Sequence, residues 1–264
     1  MNIFFRELRA NFKSLLIWGG IVMFFCFAGF EKFSAYYNNP ELLVIINSMP
    51  KALLSAFDMN AFNLTTITGF FGVMFNFFAL ILSIAAAMWG SDIISKEERD
   101  KTVEFSLSLP VTRSKIITAK TLAAFVNCIG LLLITWGITL AATSKYQPDS
   151  EFYNFLSLGM LALFIMQTIF LSIGIFLGSA MKQYKRAGSL AVSILLGTYF
   201  FSVISGMSDK LEFLKYFSPF KYFDSARLLH ESRLDMTFVW LSVAIIVVSL
   251  IGAYSTYSKR DLYI

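Results

Sequence analysis

The chain has 264 residues, 57% hydrophobic and 15% charged, with mean hydropathy +0.67 and a formal net charge of +5. Soluble domains carry about 25% charged residues, so a globule of this size would lack the charge to solvate itself, and a polytopic membrane protein is expected instead. The positive excess reads as Lys and Arg held at one membrane face, with no nucleic-acid partner implied.

The chain opens with NIFFRELRANFK over 2–13, where Ile3, Phe4, Leu8 and Phe12 recur near helical spacing between charges. This pattern predicts an interfacial helix along the inner leaflet. The cationic start (Arg6, Arg9, Lys13) followed by an apolar run resembles a signal peptide. No small-x-small site closes the run, and Phe24 and Phe25 before Cys26 spoil a lipoprotein-type site. The run is read as a retained first span.

Six runs are long enough to cross roughly 30 Å of hydrocarbon, approximately 14–30, 64–90, 121–143, 154–181, 188–207 and 237–256. Two segments between spans are more than simple loops. Residues 40–57 repeat apolar side chains every three or four positions, and 209–233 mix aromatics with Lys. Short helices resting on the outer leaflet, or capping the bundle, are expected at both. A single membrane domain over 1–264 is the simplest division. Fourteen of the 22 Lys and Arg fall beside the termini and the second and fourth inter-span segments. Both termini are therefore expected to be cytoplasmic.

Cys26 and Cys128 lie inside apolar runs, which argues against a disulfide framework or a zinc cluster, and one His (His230) is too few for a multi-His metal site. No charged residue stands in the core of a predicted span, which weakens an ion-coupled carrier. Asn76, Asn127 and Gln167 are the notable polar residues there, suited to interhelical hydrogen bonds or to a substrate. Gly174 and Gly178 form a GxxxG that permits close helix approach. Glu97-Glu98 begins the EExxxR pattern of membrane-embedded prenyl-protein proteases, but position 102 is Thr. HExxH, GxSxG and the phosphate-binding GxxxxGK[ST] are missing as well. The chain is read as a non-enzyme, and ATP-driven work would need a separate ATPase.

The segment over 91–120, SDIISKEERDKTVEFSLSLPVTRSKIITAK, is polar and charged between two uncharged runs. Residues 91–105 look helical, Pro110 ends or redirects the helix, and Thr112 can cap a new one running through Ile116 and Ile117 into the third span. Glu98, Thr102, Val103, Glu104, Leu109, Pro110, Val111, Thr112, Arg113 and Lys120 resemble the cytoplasmic loop of bacterial type-2 ABC transporter permeases. The ending Tyr257-Ser258-Lys259-Arg260-Asp261-Leu262 and the Ser218-Pro219-Phe220 element are also similar to that family, while Lys101 replaces a Gly common before the Thr.

The resemblance implies an all-α integral membrane protein with six transmembrane helices, an N-terminal interfacial helix, and a cytoplasmic coupling helix between spans 2 and 3. It implies a bacterial inner or plasma membrane location and pairing with a cytoplasmic ABC ATP-binding subunit and a second permease subunit. This chain would hold no cofactor, with ATP and Mg on the ATPase. Glu98, Arg99, Thr102, Glu104, Leu109, Pro110 and Arg113 would form the ATPase contact. Exported cargo would be hydrophobic or amphipathic: a drug, a peptide antibiotic or a lipid. An ATP-independent carrier and a membrane immunity or scaffold protein are the alternatives.

Overall fold

A backbone in hydrocarbon has no water to satisfy its amides, so long apolar runs fold as uninterrupted helices. The computed structural model describes residues 3–37, 39, 41, 48, 54, 62–100, 111–181, 183–207 and 209–259. Its helices are α1 (Ile3–Tyr36), α2 (Ile67–Arg99), α3 (Arg113–Thr143), α4 (Ser150–Ala180), α5 (Tyr184–Met207), α6 (Pro219–Tyr222), α7 (Ser225–Glu231) and α8 (Met236–Lys259). Six are long and apolar enough to cross a membrane: α1 to α5 and α8. The protein is all-α, with no strand among the described residues.

Polar side chains mark the helix starts. Thr66 accepts from the Gly69 amide, and Asp149 accepts from the Phe152 amide at 2.9 Å. Each satisfies an amide that has no intrahelical partner.

The expected interfacial helix over 2–13 is not a separate element. It forms the first turns of α1, a single 34-residue helix. Between Ile3 and Trp18 there is no Gly or Pro to break it. Of its expected apolar positions, Phe4 and Leu8 pack against the core. Glu7 and Asn11 face the protein and are buried, whereas Phe5 and Phe12 point outward.

Helices α2 and α4 form the centre. Their most apolar windows are 72% and 67% buried, against 22% or less for α1, α5 and α8. The two run parallel in constant register. Phe71 meets Phe155, Phe75 meets Gly159, and Gly90 meets Gly174. At Gly90 and Gly174 the backbones approach so closely that a Cβ would lie 2.3 Å from the Leu171 carbonyl oxygen and 2.5 Å from that of Ala87, respectively. The GxxxG of α4 therefore serves an intramolecular seam. Helix α3 packs on α1, α8 on α4, and α5 on α2.

At the end remote from the N-terminus, a 3-10 helix (Asp209–Phe217), α6 and α7 close over the bundle. Short helices were expected across 209–233, and they are present. Pro219 supplies the first turn of α6, and buried Ser218 donates to the Thr198 carbonyl at 2.7 Å. Phe220 packs on Phe170 and Tyr199, and Tyr222 stacks on Phe238 with centroids 5.0 Å apart. The Tyr222 hydroxyl donates to the Tyr216 carbonyl at 2.5 Å, and burial pushes its phenol up to about 12, so it keeps the proton it donates. The segment 40–57 lies outside the described residues except for Glu41, Ser48 and Leu54.

Candidate functional site at the charged end of the bundle

The N-terminus of α1, the C-terminus of α2 and the N-terminus of α3 meet at one end. Here Glu7 of α1, Lys96 and Glu97 of α2, and Lys120 of α3 form a buried ionic knot with Arg6. The Lys120 side chain is fully buried and that of Glu7 is 1% exposed. Lys120 Nζ donates to the Ile93 carbonyl at 2.7 Å and lies 3.2 Å from Glu97 Oε1 and 3.5 Å from Glu7 Oε1. Lys96 pairs with Glu7. Arg6, half-exposed, reaches Glu97 Oε1 at 2.9 Å and Glu7 Oε1 at 3.3 Å, closing the ring from outside.

The placement follows from helix geometry. Lys96 and Glu97 precede the C-cap Asp100 by about one turn, and Lys120 lies two turns into α3. Buried charges persist only when paired, so the knot fastens three helix ends to one another. A recess of about 520 Å³ runs alongside it, lined by Arg6, Asn11, Asp92 and Arg99 among others.

The residues expected to meet an ATPase divide around this knot. Thr102, Glu104, Leu109 and Pro110 lie outside the described residues. Glu98 is half-buried on the last turn of α2. Arg99, half-exposed, pairs with Asp92 two turns back along the helix and with Asp100 Oδ1 at 3.0 Å. Arg113, the first residue of α3, donates to the Ser258 carbonyl at 3.3 Å and the Tyr257 carbonyl at 3.5 Å. A cation is thereby placed at the negative end of the α8 dipole. Thr112 caps α3 as expected, its hydroxyl accepting from the Lys115 amide at 3.4 Å. The described residues of this set thus stand apart: Glu98 and Arg99 on the last turn of α2, beside the knot, and Arg113 at the start of α3, against the end of α8.

The family model described as ABC-2 family transporter protein matches residues 1–262. The chain belongs to the ABC-2 transporter family. It is a multi-pass membrane protein of that family, as the six long apolar helices independently require. A comparison with curated proteins gave no match.

Within this ABC-2 protein, the knot is what sequence reading passed over. In the sequence, Lys120 reads as part of the loop pattern and Glu7 as one of the charges on an interfacial helix. One signal was present: Glu7 is the sole acid in the first 30 residues, among Arg6, Arg9 and Lys13 at the edge of a span. A lone carboxylate there asks for buried cationic partners.

Two of the polar residues singled out in the spans are buried without full pairing. Gln167 is fully buried on α4 with both amide atoms unpartnered, and Asn127 on α3 leaves its Nδ2 unpartnered. Among the described residues, Gln167 makes no interhelical hydrogen bond and Asn127 makes none through Nδ2.

Proposed function

We propose that this chain is the membrane subunit of an ATP-driven exporter, with its charged end cytoplasmic and docked to a separate ATP-binding subunit through 98–113. The observation that carries the reading is the ionic knot beside that loop, in a chain that belongs to a transporter family. The loop joins the end of α2 to the start of α3, and the knot ties both ends to α1. A push on the loop therefore moves three helix ends together. Helix α2 carries the displacement inward along its close-packed seam with α4. Packed interfaces of this kind shift between discrete arrangements rather than bending continuously.

The ATPase would bring ATP and Mg, and this chain would hold no cofactor. Its partners are the ATP-binding subunit and a second permease subunit, in the bacterial inner or plasma membrane. The excess of Lys and Arg at the charged end supports cytoplasmic termini. Cargo is hydrophobic or amphipathic. The face of α5 that carries Leu190, Ile194, Phe200 and Phe201 is exposed and apolar, suiting lipid or a second subunit.

The test uses inside-out vesicles holding the chain and its ATP-binding subunit. ATP should drive accumulation of a fluorescent amphiphile, and a catalytically dead ATPase should abolish it. Accumulation that survives the dead ATPase points instead to an ATP-independent carrier.

A further inference from the structure

Between α1 and α5, with α2 as its floor, lies a cleft of about 830 Å³. On α2, Met88, Asp92, Ser95 and Arg99 line it. Their spacing puts them on one helix face, in a stripe about 16 Å long, near half the hydrocarbon thickness of a bilayer. The stripe grades from apolar to charged. Toward the bilayer interior the walls are Trp18, Met88, Trp89 and Val192, with serines of all three helices between them; toward the charged end they are Asp92 and Arg99. The Trp89 indole N–H donates to Ser14 Oγ at 2.8 Å, which fixes that ring against α1. Met88 is 45% exposed, leaving the cleft open on one side.

The charges at the mouth are unequal. Where the cleft meets the recess beside the knot, Arg6 and Lys96 are held by Glu97 and Glu7, which leaves Asp92 and Asp100 to share Arg99. A cation arriving at Asp92 can displace Arg99 without stranding it, because Arg99 keeps Asp100. An anion at Arg99 would face both carboxylates. The apolar walls deeper in the cleft suit the methylene chain behind a cationic head.

We propose that this cleft binds cationic amphiphiles, with the ammonium head on Asp92 and the chain lying along Trp18, Met88 and Val192. The inference deepens the exporter reading and rests on it only for calling the bound amphiphile cargo. It separates this cleft from the knot: Asp92 serves the ligand, and Glu7, Glu97 and Lys120 serve the helix ends.

The experiment uses the full chain in phosphatidylcholine nanodiscs without any ATP-binding subunit. The probe is 12-bromododecyltrimethylammonium, whose bromine quenches tryptophan. The comparison probe is 12-bromododecanoate, with a similar chain and an anionic head. Saturable quenching by the ammonium probe is expected, with a smaller amplitude in Trp18→Phe. Asp92→Asn should raise the half-saturating concentration about tenfold, the loss of one partly screened ion pair. Asp92→Glu should retain binding, and Arg99→Gln should tighten it by removing the competitor. Non-saturable quenching, equal or tighter binding of the anionic probe, or loss of binding in Arg99→Gln with unchanged melting would overturn the proposal. Failure here leaves the exporter reading standing, because no ATPase takes part. Failure of ATP-driven accumulation in vesicles would likewise leave the binding result intact.

Discussion

Lys120→Met removes the one fully buried cation of the knot while roughly keeping its volume. In the native protein, Lys120 meets Glu97 Oε1 at 3.2 Å, Glu7 Oε1 at 3.5 Å and the Ile93 carbonyl at 2.7 Å. At an effective dielectric near 20, each carboxylate contact is worth about 5 kcal/mol gross. Desolvation of the ammonium, several kcal/mol per ion, offsets much of that, and repulsion from Lys96 opposes it further. Removing Lys120 returns its desolvation cost but leaves two buried carboxylates to Lys96 and the half-exposed Arg6. Breaking a buried pair in this way destabilises by about 3–5 kcal/mol. The assay is unfolding by SDS in mixed micelles, followed by loss of helical circular dichroism. The double variant Lys120→Met with Glu97→Gln should be less destabilised than the sum of the singles, by about 0.5–3 kcal/mol. A single variant within 1 kcal/mol of wild type, or strict additivity, would refute the view that the knot holds these helix ends.

Further predictions concern local packing and caps. Gly174→Ala places a methyl 2.5 Å from the Ala87 carbonyl oxygen and should cost about 1–3 kcal/mol in the same assay; Gly197→Ala, with nothing within 4 Å, should be neutral or stabilising by about 0.5–1 kcal/mol. Thr112→Ala releases the Lys115 amide and should weaken the first turn of α3 by about 1 kcal/mol, seen as faster hydrogen exchange confined to that turn. Tyr222→Phe loses the hydrogen bond to the Tyr216 carbonyl and should cost about 0.5–1.5 kcal/mol in thermal unfolding. Cys26 and Cys128 are fully buried and should resist maleimide until SDS unfolds the chain, when both should react.

The six spans were readable because apolar runs of sufficient length have one solution in a bilayer. Thr112 was readable too, because a hydroxyl before a helical pattern has one local use. Continuity was harder to see. Nothing in the composition of 2–13 separates a helix lying on a leaflet from the first turns of a long span; tertiary ion pairs from Lys96 and Lys120 decide it. Those pairs join positions 7, 96, 97 and 120, which no local period relates. The GxxxG showed that some helix approaches α4 closely, yet not that the partner is α2, since Gly90 stands alone in its own sequence context. The cleft stayed invisible for a similar reason: its polar stripe on α2 means little until α1 and α5 are seen to leave that face open.

The proposed docking of a separate ATP-binding subunit at the charged end is open to one direct measurement. Tagged chain purified from its native membranes in mild detergent tests this directly, with mass spectrometry and an ATPase assay on the eluate. A stoichiometric ATP-binding protein is expected, lost when Glu104 and Arg113 are reversed in charge. A preparation with no ATP-binding protein, repeated in lipid discs, would contradict it.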